Sequence, residues 1–293
     1  MFLADKWKDY TLIDASDGEK LEYWGKYLLR RPDPLAAWAE KTEPILWSKP
    51  DAVYHRSSSG GGKWQFNKKI PERWQIHHGN MTFNIKPMGF KHTGLFPEQA
   101  VNWDWFSRLI KSAARPVRVL NLFAYTGGAT VAALAAGSAA NVDTEVVHVD
   151  ASKGMVTWAK ENVVSSGLGD AKVRYIVDDV KKFVMREQRR GRQYEAIIMD
   201  PPSYGRGPGG EVWKIEDELY PLVCECMKIL SDKPLFFLIN SYTTGLSAQV
   251  LDNILRLTVG KKFGGNIEAD EIGLPIKSSG LILPCGISGR WFA

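Results

Sequence analysis

The sequence predicts an α/β protein built on a Rossmann-like, doubly wound, mostly parallel sheet of seven strands. A buried strand over residues 118–123 ends in a small-residue turn at 124–128 and runs directly into an alanine-rich helix, which is how such a sheet opens. Strand-like and helix-like segments then alternate toward the C-terminus, as parallel strands joined by crossover helices do. Two final strand-like segments without a long helix between them predict a C-terminal β-hairpin.

Length and composition are those of an ordinary globular protein. The 293 residues are 44% hydrophobic and 24% charged, and the formal net charge of +5 permits a polyanionic partner without requiring one. No apolar run reaches the roughly 18 residues of a membrane span, and residues 1–10 lack the order of a signal peptide. We therefore expect a soluble cytoplasmic protein with no membrane partner. The three cysteines lack the spacing of a metal clamp, so we expect reduced thiols and no metal.

Residues 1–90 differ from the rest of the chain and predict a small, mostly β region, separate from a main domain over 91–293 and a candidate for substrate recognition. This region contains six prolines and a Ser/Gly run that predicts a loop at 57–62. Its strand-like segments are 10–13, 63–66, 74–77 and 81–85. Its tryptophans either stack on bases or pack a domain that has few aliphatic side chains; they include Trp7, Trp24, Trp38, Trp47 and Trp64.

The segment before the first strand of the sheet carries polar side chains. Thr93, Gly94 and Pro97 mark turns, and a helix is predicted over 98–109. Thr93, Gln99 and Asn102 either cover a ligand at the sheet edge or belong to a plain connecting helix.

The remaining elements follow in regular order. Strands are predicted at 118–123, 145–149, 173–177, 195–199, 235–240, 266–272 and 280–284, which leaves Cys285 after the last strand. Helices are predicted at 129–137, 153–166, 180–190, 214–230 and 247–258, and a glycine-rich loop at 205–210.

Four of these strands end in polar residues, and the carboxyl ends of parallel strands converge on one ligand-binding edge. Asp150 lies 22 residues after Gly128, where a carboxylate can accept both hydrogen bonds of a ribose diol; the alternative is a helix cap supplied by Asp150 or Ser152. Asp178, Asp179 and Val180 can likewise face an adenine edge or cap the next helix. The G-x-G-x-x-G pattern is absent, which favours an uncharged or zwitterionic adenosine ligand over NAD.

The run Asp200-Pro201-Pro202-Ser203-Tyr204 is the most distinctive in the chain. Two successive prolines remove two N–H groups, so the loop cannot continue a strand or a helix. The Asp200 carboxylate and the carbonyls of Asp200 and Pro201 can hold a planar amino group, and Tyr204 can stack on a flat substrate. We therefore expect the chemistry here, although a bare turn is the alternative.

Together the motifs NLFAYTGG, VDAS, DDV and DPPSY resemble those of class I S-adenosylmethionine-dependent methyltransferases, and more closely the bacterial 23S ribosomal RNA methyltransferases. The resemblance covers roughly residues 90–293 and implies S-adenosylmethionine as cofactor. It implies that the 121–127 loop surrounds the methionine part, that Asp150 holds the ribose, and that Asp200 and Pro201 lie between cofactor and target atom. The implied cofactor residues are Thr93, Gly94, Gln99, Asn121, Phe123, Ala124, Tyr125, Thr126, Gly127, Asp150, Ala151, Ser152, Asp178, Asp179 and Val180, and the implied catalytic residues are Asp200, Pro201, Pro202 and Tyr204.

The expected reaction is methylation of a nitrogen, or of a carbon, of a ribosomal RNA base, with catalysis mainly by positioning. Relatives that methylate cytosine C5 carry a cysteine after the fifth strand, whereas this chain reads Ile239-Asn240-Ser241-Tyr242, so thiolate chemistry is not expected. The alternatives are a protein or small-molecule substrate, or a non-catalytic protein that binds an adenosine ligand. A basic run either holds RNA or is a solvated helix face; it comprises Lys181, Lys182, Arg186, Arg189, Arg190 and Arg192.

Overall fold

The computed structural model describes residues 1–57, 61–206, 212–243 and 245–293. These residues form two compact units. The large unit comprises residue 1, residues 102–271 and residues 286–293, and the small unit comprises residues 2–101 and 272–285. Half of the loop predicted at 57–62 and most of that predicted at 205–210 lie outside the described residues, but Gly62, Gly205 and Arg206 belong to strands.

The small unit is mostly β, as the sequence predicts. Its strands are β1 (Phe2–Leu3), β2 (Tyr10–Ser16), β3 (Glu19–Trp24), β4 (Tyr27–Pro32), β5 (Ala52–Arg56), β6 (Gly62–Phe66), β7 (Trp74–His78) and β8 (Met81–Ile85), with one short helix, α1 (Pro44–Trp47), and a 3₁₀ turn, Pro97–Gln99. β2 to β6 form one sheet in chain order, β7 pairs with β8, and β1 pairs with residues 272–273. The sequence analysis misses β1, β3, β4 and β5.

The tryptophans of the small unit are part of its packing. Trp24 and Trp47 are buried. Trp7, Trp38 and Trp64 are half-buried, and each indole N–H donates to a backbone carbonyl at 2.6–2.9 Å. An indole held in this way has its ring committed to the fold, which favours packing over base stacking.

The large unit carries the Rossmann-like sheet, and this confirms the predicted fold class. Its strands are β9 (Val117–Leu122), β10 (Thr144–Asp150), β11 (Lys172–Val177), β12 (Ala196–Met199), β13 (Tyr204–Arg206), β14 (Val212–Lys214), β15 (Phe236–Ser241), β16 (Asn266–Pro275) and β17 (Ile282–Phe292). Its helices are α2 (Ala100–Lys111), α3 (Gly128–Ala140), α4 (Lys153–Ser165), α5 (Val180–Arg189), α6 (Ile215–Met227), α7 (Ala248–Leu255) and α8 (Lys261–Phe263), with a π turn at Arg256–Gly260.

Among the described residues the sheet has eight strands, one more than predicted, in the order β1-β16-β17-β15-β12-β9-β10-β11, and β13 and β14 form a separate hairpin. β9 pairs in parallel with β10 and β12, and β17 runs antiparallel to β15. Both β16 and β17 are longer than predicted, and each has residues in both units. Cys285 lies inside β17 rather than after the last strand.

Apolar side chains fill the central strands almost without interruption, which is the pattern of parallel strands covered on both faces. Leu120, Leu122, Val147, Val149 and Ile197 all belong to one buried core. This core gives rigid support to the carboxyl ends of β9, β10 and β12, from which the candidate site is built. Within the described ranges no helix is long and apolar enough to cross a membrane.

Candidate active site

The four polar strand ends lie side by side, as the sequence predicts. Leu122 of β9 is level with Val149 of β10 and Met199 of β12, and Asp150 is level with Val177 of β11. The loops that begin at 123, 151, 178 and 200 therefore leave one edge of the sheet next to one another.

The loop after β9 has an unusual backbone. Phe123, Tyr125 and Gly127 have φ angles of 55°, 50° and 83°, so every second residue is left-handed. Such a conformation costs a side-chain-bearing residue about 1–2 kcal/mol, and the bonds around the loop offset this cost. The Ala124 N–H donates to the Val149 carbonyl, and the Asn162 amide donates to the carbonyl of the buried Thr126.

Asp150 joins this loop to the next one. Its Oδ2 accepts the Tyr125 N–H and its Oδ1 accepts the Ser152 N–H, both at 2.8 Å. Ser152, not Asp150, caps α4, because its Oγ accepts the Met155 N–H. Each Asp150 oxygen keeps a second lone pair, so the carboxylate fits the two hydroxyls of a ribose.

The two N–H groups also act on the charge of Asp150. Burial raises the pKa of this carboxyl, and the bonds from Ser152 and Tyr125 partly oppose that rise. Ala151, between the two anchored residues, is exposed.

Behind the loop lies a buried polar chain that the sequence analysis misses. The Asn121 amide donates to Thr130 Oγ1 at 3.0 Å, and Thr130 Oγ1 lies 2.9 Å from Nδ1 of His148. Burial lowers the pKa of His148 to about 3, so the ring is neutral near pH 7. Thr130 and His148 are 18 positions apart on different elements, so no local spacing reveals their contact.

Replacing Gly127 by alanine is expected to lower the free energy of unfolding by about 2–4 kcal/mol, because strain and overpacking add. A Cβ at Gly127 would lie 2.8 Å from Cβ of Ala159, at a φ of +83°. Gly167→Ala is the matched control, since Gly167 has a φ of +72° but nothing within 4 Å of its Cβ position. Chemical denaturation of both variants measures the difference, and an equal loss in both would show that the contact with Ala159 does not matter.

The capping alternative at the end of β11 has direct support. Asp179 caps α5, with Oδ1 accepting the Lys182 N–H at 2.9 Å. Asp178 accepts the Asp179 N–H at 2.9 Å and forms an ion pair with Arg186. Val180 is buried at the start of α5. An adenine contact by Asp178 or Asp179 remains a prediction.

The loop after β12 is anchored by the β13–β14 hairpin. The Pro202 carbonyl accepts the indole N–H of Trp213 at 2.6 Å, and the Ser203 carbonyl accepts the Ile215 N–H at 3.1 Å. Pro201 is buried, Asp200 is half-buried and Tyr204 is 52% exposed. The stacking hypothesis requires an exposed ring at this edge, and the exposure of Tyr204 is consistent with it.

The expected residues ahead of the sheet fall into both units. Thr93 and Gln99 are buried in the small unit, where Gly94 has a φ of 96°. Asn102 belongs to the large unit, where its amide donates to Asn240 and Ser288 and its Oδ1 accepts from Arg290. Asn102 therefore holds α2 against β15 and β17, which favours the connecting-helix interpretation for this residue.

Neither a thiolate nor a metal is offered by the described parts of the chain. Burial raises the pKa of the Cys285 thiol well above its usual range, which opposes formation of a nucleophile. In the segment 239–242, which carries no thiol, Asn240 is buried and accepts from Asn102 and Ser288. No group of three His, Cys, Asp or Glu residues in the described ranges is arranged to hold a metal ion.

Half of the basic run is neutralised within the fold. Lys181 pairs with Glu218, Arg186 with Asp178, and Arg190 with Glu187. Arg189 and Arg192 are exposed. Paired surface cations attract a polyanion less strongly than free ones do, which favours the solvated-face interpretation for the paired half of the run.

Comparisons with known proteins show which family the chain resembles. The model of the S-adenosylmethionine-dependent methyltransferase family matches residues 37–214. The chain is 40% identical over 230 residues to Ribosomal RNA large subunit methyltransferase I of Salmonella newport, covering 69% of this chain and 54% of that protein. It is 33% identical over 150 residues to Ribosomal RNA large subunit methyltransferase K/L of Shewanella frigidimarina, covering 51% of this chain and 20% of that protein.

A solved structure, the SAM-dependent methyltransferase from Agrobacterium tumefaciens, is similar over the whole chain. Its TM-score is 0.91 at 36% identity, with 99% of this chain and 93% of that chain covered. The chain spans about half the length of the Salmonella relative and about a fifth of the Shewanella relative. These matches therefore identify the family of the chain but not its substrate. The chain belongs to the S-adenosylmethionine-dependent methyltransferase family.

Proposed function

We propose that this protein transfers a methyl group from S-adenosylmethionine to a base of ribosomal RNA, at a nitrogen or a carbon atom. The observation that carries the proposal is the arrangement at one sheet edge of Asp150, with a spare lone pair on each oxygen, and the Asp200–Tyr204 loop two strands away. The names of the relatives in Salmonella and Shewanella support ribosomal RNA as the substrate class. Ribosomal RNA is a cytoplasmic substrate, so a cytoplasmic location is part of the proposal.

The cofactor side of the site would be built from the loops after β9, β10 and β11. The Asp150 carboxylate accepts the ribose hydroxyls, and Ala151 and Ser152 lie beside the adenine. The Asp178–Val180 turn faces the adenine edge, and the 121–127 segment surrounds the methionine part. A cofactor role for Thr93, Gly94 and Gln99 stays a prediction from the sequence. When bound, S-adenosylmethionine supplies a methyl group that its sulfonium already activates.

The target side would be built from the loop after β12. Pro201 and Pro202 have no N–H, so the backbone of the loop offers only carbonyl acceptors at these two positions. The Asp200 carboxylate and the nearby carbonyls hold an amino group or ring N–H and direct its lone pair, while the Tyr204 ring stacks on the base. With the methyl group already activated, these residues contribute mainly by orientation.

Mass spectrometry of ribosomal RNA nucleosides from a deletion strain tests the substrate. We expect one methylated nucleoside to disappear and to return with the wild-type gene but not with an Asp200→Ala gene. Incubation of ribosomes from the deletion strain with purified protein and labelled S-adenosylmethionine should restore it. An unchanged modification profile, or label entering only protein, would refute the ribosomal RNA assignment.

A further inference from the structure

Trp213, in β14, contacts two of the strand-end loops and the first turn of α5. Its ring lies 5.3 Å from the ring of Phe123, in the loop after β9, with the planes tilted by 54°. Its indole N–H donates to the carbonyl of Pro202, in the loop after β12, at 2.6 Å. The ammonium of Lys181, in the first turn of α5 after β11, lies 5.9 Å from its ring centroid.

Trp213 is held in place by residues of the hairpin, of α5 and of α6. It lies opposite Gly205 in the β13–β14 hairpin, and Cβ of Trp213 is 3.8 Å from the Cβ position of that glycine. Lys181 is held over the indole by its ion pair with Glu218 on α6. Ile215, two residues on, donates to the Ser203 carbonyl. The indole is thus fixed from the hairpin, from α5 and from α6.

The loop that Trp213 binds contains two prolines in succession. Pro201 and Pro202 lack N–H groups, so the loop can be anchored there only through its carbonyls or its side chains. The Trp213 bond lies two residues beyond Asp200, and its ring contacts a left-handed residue of the loop expected to hold the methionine part. Loss of this bond would remove one constraint on the backbone that follows Asp200, whose own N–H donates to the Leu122 carbonyl, and loss of the ring would remove the aromatic contact of Phe123.

We propose that Trp213 is a positioning residue that couples the cofactor loop at Phe123 to the target loop at Pro202, so that cofactor binding sets the orientation of Asp200. This inference rests on the proposed assignment of the two loops to cofactor and target. Trp213 acts through Phe123 and Pro202 and is not itself in contact with the reacting atoms.

Two substitutions separate the two contacts. Trp213→Phe keeps an aromatic ring for Phe123 and loses the bond to Pro202, so we expect kcat to fall by about 10- to 100-fold with less than about a threefold change in Kd for S-adenosylmethionine. Trp213→Leu loses both contacts, so cofactor affinity should fall as well. Trp38→Phe is the matched control, since it removes an indole bond to the Ala15 carbonyl at 2.6 Å in the small unit. Its kcat and Kd should equal those of the wild type.

A second measurement needs neither catalysis nor an RNA substrate. In protein labelled with 5-fluorotryptophan, the ¹⁹F resonance that is missing from Trp213→Phe belongs to Trp213, and the one missing from Trp38→Phe belongs to Trp38. Adding S-adenosylhomocysteine should shift the first and leave the second in place. A Trp213 resonance that does not respond, or a wild-type kcat in Trp213→Phe, would overturn the coupling. If only the ribosomal RNA assignment is wrong, no variant will transfer labelled methyl groups to ribosomal RNA, but the Trp213 resonance will still respond to S-adenosylhomocysteine.

Discussion

Replacing Asp150 by alanine is expected to weaken S-adenosylmethionine binding by about 100-fold or more. Each hydrogen bond to a charged group contributes about 1.5–3 kcal/mol, and two ribose hydroxyls would lose such bonds. At 1.4 kcal/mol for each factor of ten, the loss is at least two factors of ten. The variant also frees the Tyr125 and Ser152 N–H groups that the carboxylate now holds.

Isothermal titration calorimetry with S-adenosylmethionine measures the effect. Asp143→Ala is the control, because Asp143 lies just before the strand that Asp150 ends and forms an exposed pair with Lys172 at 2.7 Å. Binding by the control should match the wild type. An Asp150→Ala protein with wild-type affinity would remove the ribose assignment.

The same carboxyl predicts a direction for the pH dependence of binding. The ribose bonds need the ionised form, and burial raises the pKa of Asp150. Cofactor affinity should therefore fall on acidification, beginning at a higher pH than an ordinary aspartate would require, and the residual affinity of Asp150→Ala should lack this step.

Replacing Asp200 by alanine is expected to lower kcat by about 100-fold or more while the Kd for S-adenosylmethionine changes by less than about threefold. The carboxylate is assigned to the target and not to the cofactor, so its loss should act on orientation of the nucleophile. Single-turnover transfer to ribosomes from the deletion strain separates chemistry from product release.

Asp170→Ala controls for the removal of an exposed carboxylate, because Asp170 lies before β11 and away from its carboxyl end. Full activity in Asp200→Ala would place the chemistry elsewhere. A parallel loss of cofactor affinity would instead move Asp200 to the cofactor side.

Most elements of the large unit can be predicted from the sequence because each is specified by a short stretch of residues. Each strand is a short apolar run, each helix follows within a few residues, and the polar strand ends need only the rule that parallel strands share an edge. In the small unit, the sequences of β3 and β4 do not show the apolar pattern of a buried strand. Glu22 and Arg31 face the interior there and bind each other at 2.7 Å, so charges that indicate solvent in a sequence are in fact buried.

Within the site, local patterns suggest candidates but leave the alternatives open. Asp150 and Asp179 both precede a helix. Asp150 accepts the Tyr125 N–H and so anchors a loop, whereas Asp179 accepts the Lys182 N–H and so caps a helix. Only these contacts distinguish the two roles. Trp213 contacts a ring 90 positions away in the chain, which no window of residues reveals. Such long-range contacts require the fold before they can be seen.

The course of β16 and β17 has a consequence for the order in which the chain matures on the ribosome. Residues 2–101 are translated before residues 102–271, but their compact unit also needs residues 272–285, which are translated after them. The sheet of β2 to β6 can form early, whereas β1 must wait for residues 272–273. The small unit is therefore completed only after most of the large unit has been made, and removal of residues 272–285 would leave it incomplete.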